Sequence, residues 1–297
     1  MVNRPFSFFP WMFGRNGKSR GSDEIPFEVK TSQTIAVCNQ KGGCGKTTTS
    51  INLAAGLALK GYPTLLIDLD PQANATLSFG LDVDQLRVTI YDLFSDPQRP
   101  LEEAIVPTNV PQLSIIPANF LLSGVQIELA STLNRENLLR QIVKRLSARF
   151  RYIILDCSPT LNLLTINALT ASQYVLVPVQ PHYYALEGMK ELFTTIELTQ
   201  ERFNPDLRLL GILPVFVDGR LLIVRELLGQ IRSYFEGRVL KSSIRFNSKL
   251  IEAPIAGQPI FLYARRSPGA KDYRSLTEEV LSKTCVAYEE SVVKNGF

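Results

Sequence analysis

With 297 residues, the chain is long enough for one large α/β core in one or two domains. Its 45% hydrophobic and 20% charged residues describe a soluble globular protein, and no apolar run reaches the length of a membrane span, so no integral membrane contact is expected. A formal net charge of +4 permits contact with nucleic acid or an anionic surface without requiring either.

In chain order, residues 1–32 read as a tail outside the core. Phe6, Phe8, Phe9, Trp11, Met12 and Phe13 mix there with Arg4, Arg15, Lys18, Arg20, Pro5 and Pro10. The uninterrupted apolar stretch and the cleavage site of a secretory signal are both lacking. Such a mixture suits docking on a lipid surface or a partner protein as well as simple disorder.

Residues 34–38 form a short apolar run of β-branched character that predicts a strand. Then comes Asn39-Gln40-Lys41-Gly42-Gly43-Cys44-Gly45-Lys46-Thr47-Thr48-Thr49, and after it Ile51, Leu53, Ala54, Leu57 and Ala58 recur at helical spacing as far as Gly61. Strand, glycine-rich loop and helix together make a phosphate site. Glycines let backbone N–H groups converge on phosphate oxygens, and the helix N-terminus adds positive partial charge. Lys46 is placed to reach the β- and γ-phosphates and Thr47 to ligate Mg²⁺. The common G-x-x-x-x-G-K-[ST] pattern fails at its first glycine, where Gln40 stands. The form present instead, K-G-G-x-G-K-T-T with a second lysine (Lys41) opening the loop, resembles the deviant-Walker ATPases typified by ParA, Soj and MinD.

The next apolar run ends in Asp68-Leu69-Asp70-Pro71-Gln72, which places two carboxylates at the C-terminal end of a buried strand, where parallel α/β sheets bind ligands. Alone the pair would also suit a solvated turn. The resemblance of D-x-D-P-Q to the ParA family implies that Asp70 serves water activation, Mg²⁺ binding and the first switch, with Asp68 in support. Residues 90–93 predict a short helix and 113–117 a strand. Across 136–150, Leu138, Leu139, Ile142, Val143 and Leu146 share one face, predicting an amphipathic helix with Asn134 as its N-cap.

Residues 152–156 are an apolar run closing on Asp156, the Walker B arrangement in which an aspartate orients Mg²⁺ and its waters. Cys157 beside it raises the nitrogenase iron-protein branch, but no further cluster cysteine is found, which leaves it as a small buried residue. The four cysteines, Cys38, Cys44, Cys157 and Cys285, show no metal-ligand spacing, and one of them sits inside the phosphate loop, so a disulfide framework is not expected and a reducing cytoplasm fits. The single histidine, His182, excludes a two-histidine metal site and reads as a loop residue.

A strand at 175–179 leads into Gln180-Pro181-His182-Tyr183-Tyr184-Ala185-Leu186-Glu187-Gly188, which resembles the chromosome and plasmid partition ATPases more than MinD. A long helix, a strand at 209–217 and a helix at 221–235 follow. The alternation predicts an α/β fold, a doubly wound, mostly parallel sheet with helices on both faces, as in P-loop NTPases. Residues 202–249 hold nine basic and four acidic side chains. Arg220 and Lys249, which follows a strand-like stretch at 241–247, fall where basic residues of the partition ATPases bind DNA without sequence preference. Ordinary surface cations would leave the same trace. Arg232 and Arg238 are weaker candidates, from charge alone.

The resemblance covers roughly 34–281. It departs from the family at Val215, where a threonine is usual, and at Ile244-Arg245-Phe246-Asn247, where I-P-R-N is usual, both close to the nucleotide base in the family. The final helix, near 275–289, lacks the basic membrane anchor that ends MinD. The domain reading is a tail at 1–32, a ParA-like ATPase domain at 33–291 and a C-terminal tail at 292–297. The resemblance implies an ATP- and Mg²⁺-dependent switch that forms a homodimer in the ATP state, with Gly42, Gly43, Cys44, Gly45, Lys46, Thr47 and Thr48 around the nucleotide. Lys41, Lys46 and Asp70 are the implied catalytic residues, and Thr47, Asp70 and Asp156 the implied metal-binding residues. It further implies non-specific DNA and a ParB-like activator as partners, and a cytoplasmic, nucleoid-associated location. A MinD-type membrane-cycling ATPase, a ParA-like ATPase moving a protein cargo, and an ATP-dependent carboxylate ligase on the same fold remain alternatives.

Overall fold

In a computed structural model, residues 32–182 and 185–294 are described; the tail expected at 1–32 lies outside them except for Ser32, and so do residues 295–297. The strands are β1 (Gln33–Val37), β2 (Thr64–Leu69), β3 (Val106–Pro107), β4 (Leu113–Ile116), β5 (Tyr152–Cys157), β6 (Tyr174–Val179) and β7 (Arg208–Pro214). They form one seven-stranded sheet in the order β3-β4-β2-β5-β1-β6-β7, parallel throughout except for the antiparallel edge strand β3. The helices are α1 (Lys46–Leu59), α2 (Asn74–Leu77), α3 (Ile90–Ser95), α4 (Val125–Glu128), α5 (Leu138–Leu146) and α6 (Leu163–Ala171). They continue as α7 (Ala185–Arg202), α8 (Leu222–Tyr234), α9 (Lys249–Ile255), α10 (Ile260–Tyr263) and α11 (Pro268–Lys294).

The central strands are buried on both faces, which is why they read as continuous apolar runs rather than alternating ones. Successive side chains nevertheless enter different cores. Ala36, Leu65, Ile67, Ile153 and Leu155 pack with α3, α5 and α6 through Leu93, Leu139, Ile142 and Leu164. Ile35, Val37, Leu66 and Ile154 pack on the opposite face with α1 and α11 through Leu53, Leu57, Tyr273 and Leu276. The doubly wound expectation holds.

The register brings the functional strand ends together. Val37 of β1 pairs with Asp156 of β5, and Asp156 pairs on its other side with Asp68 of β2. The loop that follows β1, the acidic end of β2 and the acidic end of β5 therefore share one edge of the sheet.

Two local expectations fail. Asn134 adopts a left-handed backbone (φ 57°) and its side chain caps nothing; a 3-10 turn, Arg135–Asn137, precedes α5 instead. Asparagine tolerates that conformation, so it served the turn rather than the helix. The stretch at 241–247 is not a strand and makes only an isolated bridge between Val217 and Arg245. Carboxylates of α11 take its backbone donors: Glu279 accepts from the N–H groups of Lys241 and Ser242, and Asp272 from that of Arg245.

Candidate active site

The loop between β1 and α1 is shaped by two glycines with left-handed backbone, Gly43 (φ 69°) and Gly45 (φ 75°), where any side chain would be strained. Asn39 ties the loop to the sheet. Its Nδ2 donates to the Pro178 carbonyl (2.6 Å), and its Oδ1 accepts from the Lys41 N–H (2.9 Å). Gly45 leads directly into α1, so the first N–H groups of that helix point into the loop.

Lys46 is 7% exposed, and its Nζ donates to the Lys41 carbonyl across the loop (3.0 Å). Among the described residues no carboxylate lies within ion-pair reach of it. Asp156 is fully buried. Ser50 Oγ donates to its Oδ1 (2.8 Å), Thr47 faces the same carboxylate, and its Oδ2 has no hydrogen-bond partner among the described residues. Burial first, and the Asp68 carboxylate second, raise the Asp156 pKa. The buried Lys46 ammonium thus has no carboxylate partner among the described residues, and the buried Asp156 carboxyl, whose raised pKa favours its neutral form in the free chain, keeps one oxygen unpaired there.

That arrangement fits Mg²⁺. The free Oδ2 of Asp156 and the Thr47 hydroxyl are hard oxygen donors, and Mg²⁺ is usually held by one or two carboxylates together with substrate phosphates rather than by an all-protein cage. Consistent with this, no three His, Cys, Asp or Glu side chains cluster as a self-sufficient metal site among the described residues.

Asp68 and Asp70 differ in kind. Asp68 is wholly buried, and its oxygens accept from Asp70 N (3.1 Å), Thr76 N (2.9 Å) and Thr76 Oγ1 (2.8 Å), while Thr76 Oγ1 accepts in turn from Ala118 N. It holds the end of β2 in shape; burial raises its pKa despite these bonds. Among the described residues the Asp70 carboxylate takes only the Gln72 N–H (3.0 Å), and it faces a cleft of about 790 Å³, lined also by Gly42, Gly43, Lys46 and Thr47. Loop glycines, Lys46, Thr47 and Asp70 are thus brought together.

Lys41 stays at the exposed rim. Its Nζ meets Nε2 of His182, just past β6, and Gln40 Nε2 donates to Glu191 of α7 (2.5 Å). His182 is therefore a contact residue as well as a loop residue. Burial and then the Lys41 charge lower its pKa. Cys44 and Cys157 are buried, the Cys44 thiol donates to the Lys41 carbonyl (3.1 Å), and Cys38 lies against Cys157.

Arg220 and Lys249 lie away from the cleft. The Val217–Arg245 bridge joins the two segments that lead to them. Each is paired locally, Arg220 with Asp218 (2.7 Å) and Lys249 with Glu252 (2.7 Å). The departures at Val215, Arg245 and Phe246 line a second pocket of about 290 Å³ that adjoins the cleft at Gly45, Thr48 and Phe216. Ser50 and Phe216 escaped sequence reasoning. Ser50 reads as one more helix residue, and Phe216 as one more apolar strand residue.

Comparison with known proteins agrees with this geometry. A family profile described as AAA domain matches residues 32–209. The chain is 44% identical over 246 residues to the sporulation initiation inhibitor protein Soj of Bacillus subtilis, covering 83% of this chain and 97% of Soj. It is also 44% identical over 250 residues to the chromosome partitioning protein ParA of Myxococcus xanthus, covering 84% and 88%. Among solved structures, cobyrinic acid a,c-diamide synthase from Mycobacterium smegmatis with bound ATP analogue and magnesium superposes with a TM-score of 0.76 at 35% identity, covering 84% of this chain and 94% of that one. A phosphate loop opened by a second lysine, on this sheet and in a sequence alike over nearly the full length of Soj, places the chain in the AAA domain family and in the ParA/Soj family of deviant-Walker partition ATPases.

Proposed function

We propose that the chain is a Mg²⁺-dependent ATPase that works as a dimerisation switch on DNA. The observation that carries this reading is the buried Lys46 ammonium, which has no carboxylate partner among the described residues, together with the buried Asp156 carboxyl and its unpaired oxygen. Mg²⁺ and a triphosphate together supply both missing partners. Lys46 and the loop N–H groups bind the phosphates, Thr47 and Asp156 hold the ion, and Asp70 orients the attacking water. Bound Mg²⁺ neutralises charge on the phosphate oxygens.

Lys41, exposed at the rim, reaches the phosphates bound by a second copy, so ATP bridges a homodimer. Dimerisation doubles the number of Arg220 and Lys249 side chains on one particle, which makes DNA binding ATP-dependent and multivalent. Hydrolysis is slow until a ParB-like partner stimulates it, and the cycle positions a chromosome, plasmid or protein cargo over the nucleoid in the cytoplasm. The ATPase domain occupies residues 33–291. The local pairing of Arg220 with Asp218 and of Lys249 with Glu252 means that DNA phosphates compete with carboxylates for these cations, which weakens each contact, and salt screens the contacts further. Arg220→Glu is expected to reduce retention on duplex DNA about tenfold at low salt while ATP-driven dimerisation persists. Gel shift and light scattering on one preparation measure both.

The similarity to the cobyrinic acid a,c-diamide synthase structure favours one second reading, an ATP-dependent carboxylate ligase. That reading requires ATP turnover to depend on a carboxylate acceptor. The switch reading requires turnover to rise with DNA and a partner protein.

A further inference from the structure

Phe216 has a left-handed backbone (φ 55°), which a bulky residue adopts only when its surroundings impose it. Both flanking residues are pinned to different strands or loops. Val215 N–H donates to the Val179 carbonyl at the end of β6 (2.9 Å), and Val217 N–H donates to the Ile244 carbonyl (3.0 Å). The chain must turn between these two anchors, and the turn throws the Phe216 ring over the phosphate loop. A Cβ built on Gly45 would lie 3.7 Å from Cε2 of that ring.

The ring occupies a boundary. Among the described residues only Gly45, Thr48 and Phe216 line both the phosphate cleft and the second pocket. That pocket is walled largely by apolar groups, Val215, Ile244, Phe246, Leu250 and Tyr273 among them. The Arg245 guanidinium at its edge is engaged by Asp272, in a pair whose shortest contact is 2.7 Å. A flat, weakly polar group suits such a pocket, and the adjoining cleft suits phosphates. A nucleotide occupying both must cross the face of Phe216 with the part that joins them, its sugar.

We propose that Phe216 is a nucleotide-positioning residue whose ring packs against the sugar and the near edge of the base, fixing the angle at which the base leaves the phosphate loop. This rests on the nucleotide-binding reading given above. The strained backbone is then a functional feature, because a relaxed residue would not project its side chain across Gly45. The contact distinguishes a nucleoside triphosphate from a bare polyphosphate, since only the former has a sugar and base to meet the ring.

The test is calorimetric binding of Mg·ATP and of Mg·tripolyphosphate to the full chain and to Phe216→Ala and Phe216→Leu. Phe216→Ala is expected to weaken ATP binding about tenfold, in line with the loss of one aromatic contact. Tripolyphosphate affinity is expected to stay within about twofold, and Phe216→Leu to recover part of the ATP affinity by restoring bulk. Unchanged ATP affinity in Phe216→Ala overturns the inference while leaving the nucleotide-binding reading intact. Equal losses for both ligands also overturn it, because the loop rather than the sugar contact would then have changed. Failure of the unmodified chain to bind ATP overturns the nucleotide-binding reading, and this inference with it. Circular dichroism establishes that each variant is folded; should Phe216→Ala not fold, Phe216→Leu carries the test, with an ATP-selective loss expected and an equal or absent loss contradicting it.

Discussion

Lys46→Ala is expected to weaken ATP binding by roughly 30-fold or more while leaving the protein as stable as before or more so. The ammonium is buried and has no carboxylate partner among the described residues. In the free chain it makes a hydrogen bond to the Lys41 carbonyl but carries an uncompensated desolvation cost. Removing it therefore relieves the free protein. In the proposed nucleotide complex the same ammonium would gain a charged partner, and truncating one member of such a buried pair costs about 2–5 kcal/mol. That corresponds to a loss of roughly 30-fold or more in affinity. Calorimetry with Mg·ATP and a thermal melt of the same sample separate the two effects. A variant that melts well below the parent and still binds ATP would place Lys46 in the structural core rather than at the phosphates.

Lys41→Ala is expected to behave in the opposite way. Lys41 sits at the rim, its ammonium meets His182, and its main contribution to the loop is made by its backbone, through the N–H to Asn39 and the carbonyl to Lys46 and Cys44. Alanine preserves those backbone contacts. ATP binding should survive within a few-fold, whereas ATP-dependent dimerisation should be lost, because the side chain's proposed target lies in the other subunit. Sedimentation with ATP and with ADP reads this directly. Dimers that persist in Lys41→Ala would refute the shared site.

Much of this architecture was legible in the sequence because it depends on short, strongly patterned segments. The buried strands β1, β2, β5 and β6 are unbroken apolar runs, and the phosphate loop constrains residue type at nearly every position. What escaped depends on contacts between distant segments. The backbone donors of residues 241–245 could go to a neighbouring strand or to Glu279 and Asp272, and nothing local decides between them. Asn134 has the composition of a cap and also of a left-handed turn, and the turn prevailed. Asn162, which does cap α6 by accepting from Leu164 and Thr165, lay in an unremarkable Pro-Thr-Leu-Asn run. His182 reached Lys41 only because β6 lies beside β1 in the sheet. Phe216 gave no signal at all, since its conformation is imposed by anchors on β6 and on the loop containing Ile244.

The two aspartates of β2 illustrate the same limit at the site itself. The sequence places both at a strand end, but only the structure separates Asp68, whose oxygens are spent on Asp70 and Thr76, from Asp70, which faces the cleft. Substitution of Asp68 therefore bears on the shape of the segment after β2, and substitution of Asp70 on the proposed chemistry.

The central claim is that ATP state controls binding to DNA, and it is tested most directly by retention of a non-specific duplex with ATP, with ADP and without nucleotide, each at two salt concentrations. The account predicts binding with ATP only, falling steeply as salt rises. Binding that is equal in all three nucleotide states, or absent from all of them, would contradict it.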